Sequence, residues 1–240
     1  MVRTARRRLG LLRRLIVILV KTVLTPMTKR TWTGLEHIPA TGGVILAPNH
    51  LSHADPIVCA HFVYDAGRWP RFLGKASVFK VPVVGKIILR AQQIPVERGS
   101  LDAAKSLDAL TEALQEGGAV IIYPEGTTTR EPDLWPMRGK TGAARLALAT
   151  GAPVIPMAMW GPQTFFDPRT KRIRIRPRTP IAIAAGPAVD FSKWAGAEPT
   201  RAVLDEMTDE IMLRVRDLLG EIRQETPPPL WAPVKGEKAS

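Results

Sequence analysis

Cysteine is nearly absent. Cys59 stands alone in 240 residues, which excludes an intramolecular disulfide framework and a cysteine-rich zinc module, and suits a reducing compartment. Long apolar runs are missing as well. In LGLLRRLIVILVKTVLTP, residues 9–26, the longest uncharged stretch is Leu15 to Val20, far short of the roughly 20 residues that cross a bilayer. A cleaved secretory signal fits poorly, because Lys21 interrupts the end of the apolar region and no small-residue cleavage site precedes Pro26. Residues 1–30 also lack any Asp, Glu or aromatic side chain. The missing aromatics argue against base stacking, and so against a nucleic-acid partner.

What is present is positive charge, unevenly placed. Lys and Arg number 34 against 22 Asp and Glu, a net +12, and residues 1–30 supply nine of the twelve. The rest of the chain is close to neutral, so the composition describes a basic arm on an ordinary globular body. Within the arm Leu9, Leu12, Ile16, Val20 and Val23 recur every three or four positions, with Leu19 on the same face. Arg7, Arg14 and Lys21 recur every seven. This is the pattern of an amphipathic helix lying in the plane of an anionic membrane surface, with packing on the body as the alternative. The arm is read as residues 1–30, the body as 31–225 and a proline-rich tail as 226–240, loosely attached.

The body predicts an α/β fold: a mixed, mostly parallel sheet flanked by helices. Strands are expected at 44–47, 72–75, 93–96, 119–123, 154–159 and 181–183, and helices at 55–66, 82–89, 100–115, 141–150 and 200–223. Ser100 is read as a helix cap. The alternating KRIRIRPR, 171–178, reads as a half-buried strand with one cationic face, either a charged edge or a headgroup site.

Four polar clusters fall at strand ends, where α/β folds place their sites. In NHLSHAD, 49–55, a strand-to-helix corner would bring Asp55 against one imidazole nitrogen of His50 and leave the other outward as a general base. No serine or cysteine has a nucleophile setting, so the activated hydroxyl belongs to a substrate. His53 and His61 read as structural or rim residues; the spacing of His50, His53 and Asp55 matches no familiar zinc pattern. Gly139-Lys140-Thr141 lacks the upstream glycine of a phosphate-binding loop.

Taken in order, NHLSHAD (49–55), IPVER (94–98), YPEGT (123–127) and VIPMA (154–158) resemble the glycerolipid acyltransferase family typified by bacterial 1-acylglycerol-3-phosphate acyltransferases, over residues 30–190. The resemblance implies His50 as base, Asp55 as its orienting partner, and Arg98 and Lys75 on the acceptor's phosphate. It implies Glu125, Gly126 and Thr127 around the acceptor glycerol, and Pro156 in the pocket floor. It also implies a lysophospholipid acceptor and acyl-CoA or acyl carrier protein as donor, with no cofactor and no metal required; that donor and the basic arm together suggest a peripheral place on the cytoplasmic face of the cell membrane. One departure stands out. Where the family has arginine and serine after Glu-Gly-Thr, this chain has Thr128-Thr129 with Arg130 displaced; either Arg130 returns to the phosphate or Arg98 and Lys75 act without it. The acceptor is therefore open to another lysophospholipid, glycerol 3-phosphate or a glycolipid, and a non-enzymatic lipid-binding protein is the remaining alternative.

Overall fold

A computed structural model describes residues 10–96, 103–174 and 176–232. Seven strands form one sheet: β1 (Thr28–Thr33), β2 (Val44–Pro48), β3 (Pro70–Lys75), β4 (Ile94–Val96), β5 (Ala119–Ile121), β6 (Val154–Trp160) and β7 (Thr179–Ala185). Their order is β1-β7-β6-β2-β5-β3-β4. Among the described residues only the β6–β7 strand pairing is antiparallel; the mixed, mostly parallel sheet expected from the alternation of elements is the one observed.

Side chains alternate across the sheet and divide the core in two. Val44, Leu46, Ile121, Met157 and Ile183 face α2 (Asp55–Asp65), which contributes Val58, Cys59, Phe62 and Val63. Ile45, Ala47, Val120 and Val154 face the opposite layer of α5 (Ala103–Gln115), α6 (Gly142–Thr150) and α7 (Arg201–Arg223). Central strands buried on both faces read as continuous apolar runs, which is why they were legible. Helix α7 starts where expected, with the Thr200 side chain accepting the Val203 N–H.

Three expectations need correction, and one element is added. Thr28–Arg30 belong to β1, which pairs with β7 at the sheet edge, so the basic arm ends inside the fold. The helix expected at 82–89 is α4 (Val84–Arg90), preceded by a further short helix, α3 (Ala76–Phe79), that was not expected. Among the described residues of 171–178 there is no strand, only an isolated bridge from Ile173 to Phe166; Arg178 takes a positive φ of 55°, and β7 begins after it. The tail is anchored as far as Trp231, whose carbonyl accepts the Arg138 N–H at 2.9 Å. The proposed cap Ser100 lies outside the described residues.

Helix α1 (Leu11–Met27) has two apolar faces. Leu12, Ile16 and Val20, read as the lipid face, turn toward the body, whereas Leu11, Leu15, Ile18, Leu19 and Val23 point outward and are exposed. Lys21 is not on a basic outer stripe. It turns inward to Asp65 Oδ1 at 2.7 Å and lies over the Tyr64 ring. Leu9 and Arg7 lie outside the described residues. Among the described residues, no helix is long and apolar enough to cross a membrane.

Candidate active site

The chain leaves β2 at Pro48 and turns sharply before α2, and the turn is fastened from both sides. Asn49, fully buried, donates to the Met159 carbonyl at 3.1 Å and accepts the Met159 N–H at 2.8 Å, tying the end of β2 to β6. Asp55 opens α2 and reaches back. Its Oδ2 accepts the N–H of Leu51 at 2.6 Å, the N–H of Ser52 at 2.9 Å and His50 Nδ1–H at 2.8 Å. Nδ1 faces a carboxylate and so carries the proton; in the neutral ring Nε2 then holds the free lone pair. The pair sits as the sequence suggested. Asp55 is fully buried, whereas the imidazole keeps 15% of its surface open. Burial holds the Asp55 pKa above the ordinary carboxylate value, against the pull of the His50, Leu51 and Ser52 hydrogen bonds.

The end of β5 lies beside this corner. Tyr123 stacks on the imidazole, ring centroids 4.2 Å apart and planes 28° from parallel. Glu125 is only 2% exposed. Its Oε1 accepts the His50 N–H at 2.8 Å and its Oε2 the Met137 N–H at 3.1 Å, and Thr129 N–H donates to the His50 carbonyl at 2.7 Å. The Glu-Gly-Thr turn therefore clamps the backbone of the histidine. Burial pushes the Glu125 pKa up to about 8, opposed by the hydrogen bonds from the His50 and Met137 N–H groups. With both oxygens engaged by main chain, Glu125 acts as a brace for His50, not as a ligand reaching into open space.

Met137 is held in turn by the loop after the Glu-Gly-Thr turn. Glu131 Oε2 accepts the N–H of Asp133 at 2.7 Å and of Trp135 at 2.8 Å. The Arg223 guanidinium lies 4.1 Å from the Trp135 ring and 4.4 Å from the Trp160 ring and donates to the Asp133 carbonyl at 2.8 Å. A cation held between two indoles pins this loop to the end of α7.

The other candidate residues fall as follows. Lys75 is exposed at the end of β3, and its Cα pairs with Val96, the last residue of β4. Arg98 lies outside the described residues. Gly126 and Thr127 are exposed on the turn; Gly126 has φ 71°, and a Cβ there would meet the Lys140 side chain at 2.9 Å. Arg130 is exposed, its N–H directed at Met137 Sδ. Pro156 is buried in β6 on the α7 side, against Gly186, so its ring faces away from the α2 layer. His53 is not gathered with His50 and Asp55; it stands edge-on to Phe166. His61 is buried, and burial lowers its pKa to about 4. The sequence reading missed the roles of Asn49, Tyr123, Glu131 and Arg223. The tyrosine adjoining the Pro-Glu-Gly-Thr box was the one visible signal.

A family model described as Acyltransferase matches residues 29–160. The chain is 29% identical over 167 residues to the 1-acyl-sn-glycerol-3-phosphate acyltransferase of Borreliella burgdorferi, covering 69% of this chain and 64% of that protein. It is 26% identical over 193 residues to the enzyme of the same name from Bacillus subtilis, covering 79% and 87% respectively. The crystal structure of the 1-acyl-sn-glycerophosphate (LPA) acyltransferase PlsC from Thermotoga maritima superposes with a TM-score of 0.63 at 22% identity, covering 90% of this chain and 81% of that one. At that identity the superposition establishes the fold alone.

Proposed function

We propose that this chain, which belongs to the acyltransferase family, moves a fatty acyl group from an acyl thioester to the free hydroxyl of 1-acylglycerol 3-phosphate, giving phosphatidic acid. The observation that carries the reading is the His50 Nδ1–Asp55 Oδ2 hydrogen bond at 2.8 Å, on a ring left partly open. Nε2 takes the proton of the acceptor hydroxyl as its oxygen attacks the thioester carbonyl. The carboxylate of Asp55 stabilises the imidazolium so formed. Collapse of the tetrahedral adduct breaks the C–S bond, and the imidazolium returns its proton to the departing thiolate. One residue serves as base and then as acid, with no covalent acyl-enzyme. Acyl-CoA or acyl carrier protein supplies the thioester. In this reading Lys75, exposed at the mouth of β3, meets the acceptor phosphate, with Arg98 and Arg130 as the further cations.

The outward stripe of α1 lies in the membrane surface and brings this mouth to its lipid acceptor. Leu11, Leu15, Ile18, Leu19 and Val23 are all exposed on one helix, and their transfer from water to the acyl boundary supplies the attraction. A different lysolipid acceptor is the second reading. It is favoured by Thr128-Thr129, of which Thr129 is buried and spends its hydroxyl on the Trp135 carbonyl at 2.7 Å.

The deciding experiment is thiol release from acyl-CoA in the presence of lysophosphatidic acid, with a panel of other lysolipids, by the parent and by His50→Ala. The variant is expected to lose at least roughly a thousandfold in turnover while its circular dichroism stays that of the parent. Near-normal turnover would remove His50 from the chemistry and the reading with it.

A further inference from the structure

The segment 165–178 is the most densely charged part of the described chain that the site does not use. It carries Arg169, Lys171, Arg172, Arg174, Arg176 and Arg178 against one acid, Asp167. Asp167 Oδ1 is turned onto the N–H groups of Arg169 and Thr170. The segment folds as a short hairpin, with Arg174 N–H to the Phe165 carbonyl and Asp167 N–H to the Arg172 carbonyl. Arg169 is engaged by the carbonyls of Glu131 and Pro132; Lys171, Arg172, Arg174, Arg176 and Arg178 are exposed. Among them Ile173 stands 71% exposed, an aliphatic side chain raised from a basic loop.

Ile173 is not isolated. It shares the rim of an apolar depression of about 150 Å³ with Val23 of α1, Ile57 of α2, Phe165 and Arg174. Val23 is 48% and Ile57 52% exposed, so three aliphatic side chains from three separate segments project around one hollow. The hairpin is tied to both neighbours. Arg178 N–H donates to the Pro26 carbonyl at the end of α1, and Ser52 Oγ, in the catalytic corner, donates to the Phe166 carbonyl at 2.7 Å. Ile57 lies two residues beyond Asp55.

From this we infer that the hairpin 165–174, with Arg176 and Arg178, is a second membrane contact, adjoining the end of α1 at Val23, and that its partner is an anionic phospholipid bilayer. Positive charge concentrated around exposed aliphatic side chains complements a surface of lipid phosphates over acyl carbon. Neutral bilayers satisfy the aliphatic part alone. Arginine forks take the phosphates while Ile173, Ile57 and Val23 enter the acyl boundary. Two contacts, one along α1 and one at the hairpin, fix the tilt of the domain as a single helix does not, and the second sits beside the turn that holds His50. The inference rests on the acyl-transfer reading only for what the orientation serves.

The test is co-sedimentation of the full chain with phosphatidylcholine vesicles, with and without phosphatidylglycerol. Each cation at an anionic surface contributes roughly fivefold (about 1 kcal/mol). R172E/R174E/R176E is therefore expected to lose roughly a hundredfold or more in affinity for the anionic vesicles, with little change on neutral ones. Ile173→Asp is expected to lose roughly tenfold or more on both. The milder R172Q/R174Q/R176Q reports on the same charges should the reversal disturb folding. Turnover on a water-soluble, short-chain lysophosphatidic acid separates this inference from the proposed function. It is expected to be unchanged in all three variants. Vesicle binding equal to that of the parent overturns the second contact and leaves the acyl-transfer reading standing. Turnover on the soluble acceptor that falls with the charge changes overturns it also, by assigning the cations to the active site.

Discussion

Glu125→Gln isolates the brace beneath the histidine. The substitution keeps size and shape and removes the charge. In the native protein burial pushes this carboxyl up to about 8 from 4.5, so the folded chain keeps a proton that the unfolded chain gives up between those values. Below about 4.5 both states are protonated and the group is neutral to stability. As pH rises through the window the native state binds more protons than the unfolded one, and stability falls by about 1.4 kcal/mol per pH unit. The loss is complete above about 8 and amounts to something on the order of 5 kcal/mol, a shift that is already net of the opposing hydrogen bonds from the His50 and Met137 N–H groups. Gln carries no such dependence, but its NH2 meets a main-chain N–H in place of an acceptor oxygen, costing about 1–3 kcal/mol at every pH.

The two effects have different pH signatures. At about pH 5 the variant is expected to be the less stable protein; toward about pH 9 the gap closes or reverses. Denaturant unfolding of both proteins over that range, followed by tryptophan fluorescence, reads the difference directly. Parallel stability curves would refute the reasoning, because they would mean that Glu125 does not ionise differently in the folded state. Acyl transfer should fall mainly in kcat with KM little changed, since Glu125 holds the base and not the substrate.

Tyr123→Leu removes the ring stacked on the imidazole, a contribution of roughly 0.5–1.5 kcal/mol, so kcat should fall by up to about tenfold. Tyr123→Phe should keep kcat near that of the parent, and an unchanged kcat in the leucine variant would dismiss the stack as mere packing. Lys21→Met deletes the ion pair that draws α1 onto Asp65. The pair is partly exposed, so global stability should change by no more than about 1 kcal/mol, while amide exchange in α1 accelerates. Unchanged exchange there would show that apolar packing alone holds the helix.

The fold was legible where burial is two-sided and illegible where pairing is remote. Val44–Pro48 and Val154–Trp160 are interior strands whose apolar runs announce themselves. Thr28–Thr33 is polar and alternately buried because it sits at the edge on β7, and the charges of Lys29 and Arg30 grouped its first half with the arm by composition. The opposite error befell 171–178. Alternation of isoleucine and arginine is a property of local sequence, whereas a strand needs a neighbour with free N–H and C=O groups; β7 already has β1 and β6 on its two sides. The same limit governs α1. Its sequence shows that apolar residues recur, but with leucine, isoleucine and valine on two sides of the helix, the side that meets the body is decided by Asp65, Trp69 and α4, which no arm residue reveals.

The active site divides along the same line. His50 and Asp55 are five positions apart, and one corner brings them together, so their pairing was readable from local chemistry. The work of Glu125 was not, because its partners are main-chain groups of His50 and Met137, and a sequence displays side chains only. What decides those partners is register. Leu46 of β2 pairs with Ile121 of β5, and His50 and Glu125 each lie four residues beyond that pair. The parallel ladder therefore delivers carboxylate and histidine backbone to the same height above the sheet, where a hydrogen bond of 2.8 Å closes between them. A slip of one residue along β5 would displace the carboxylate by about 3.3 Å, more than such a bond tolerates. The Pro-Glu-Gly-Thr box thus acts on the reaction through strand pairing, and the apolar residues that fix the β2–β5 register, Val44 to Leu46 against Ala119 to Ile121, are as much a condition of the base's position as the carboxylate that orients its ring.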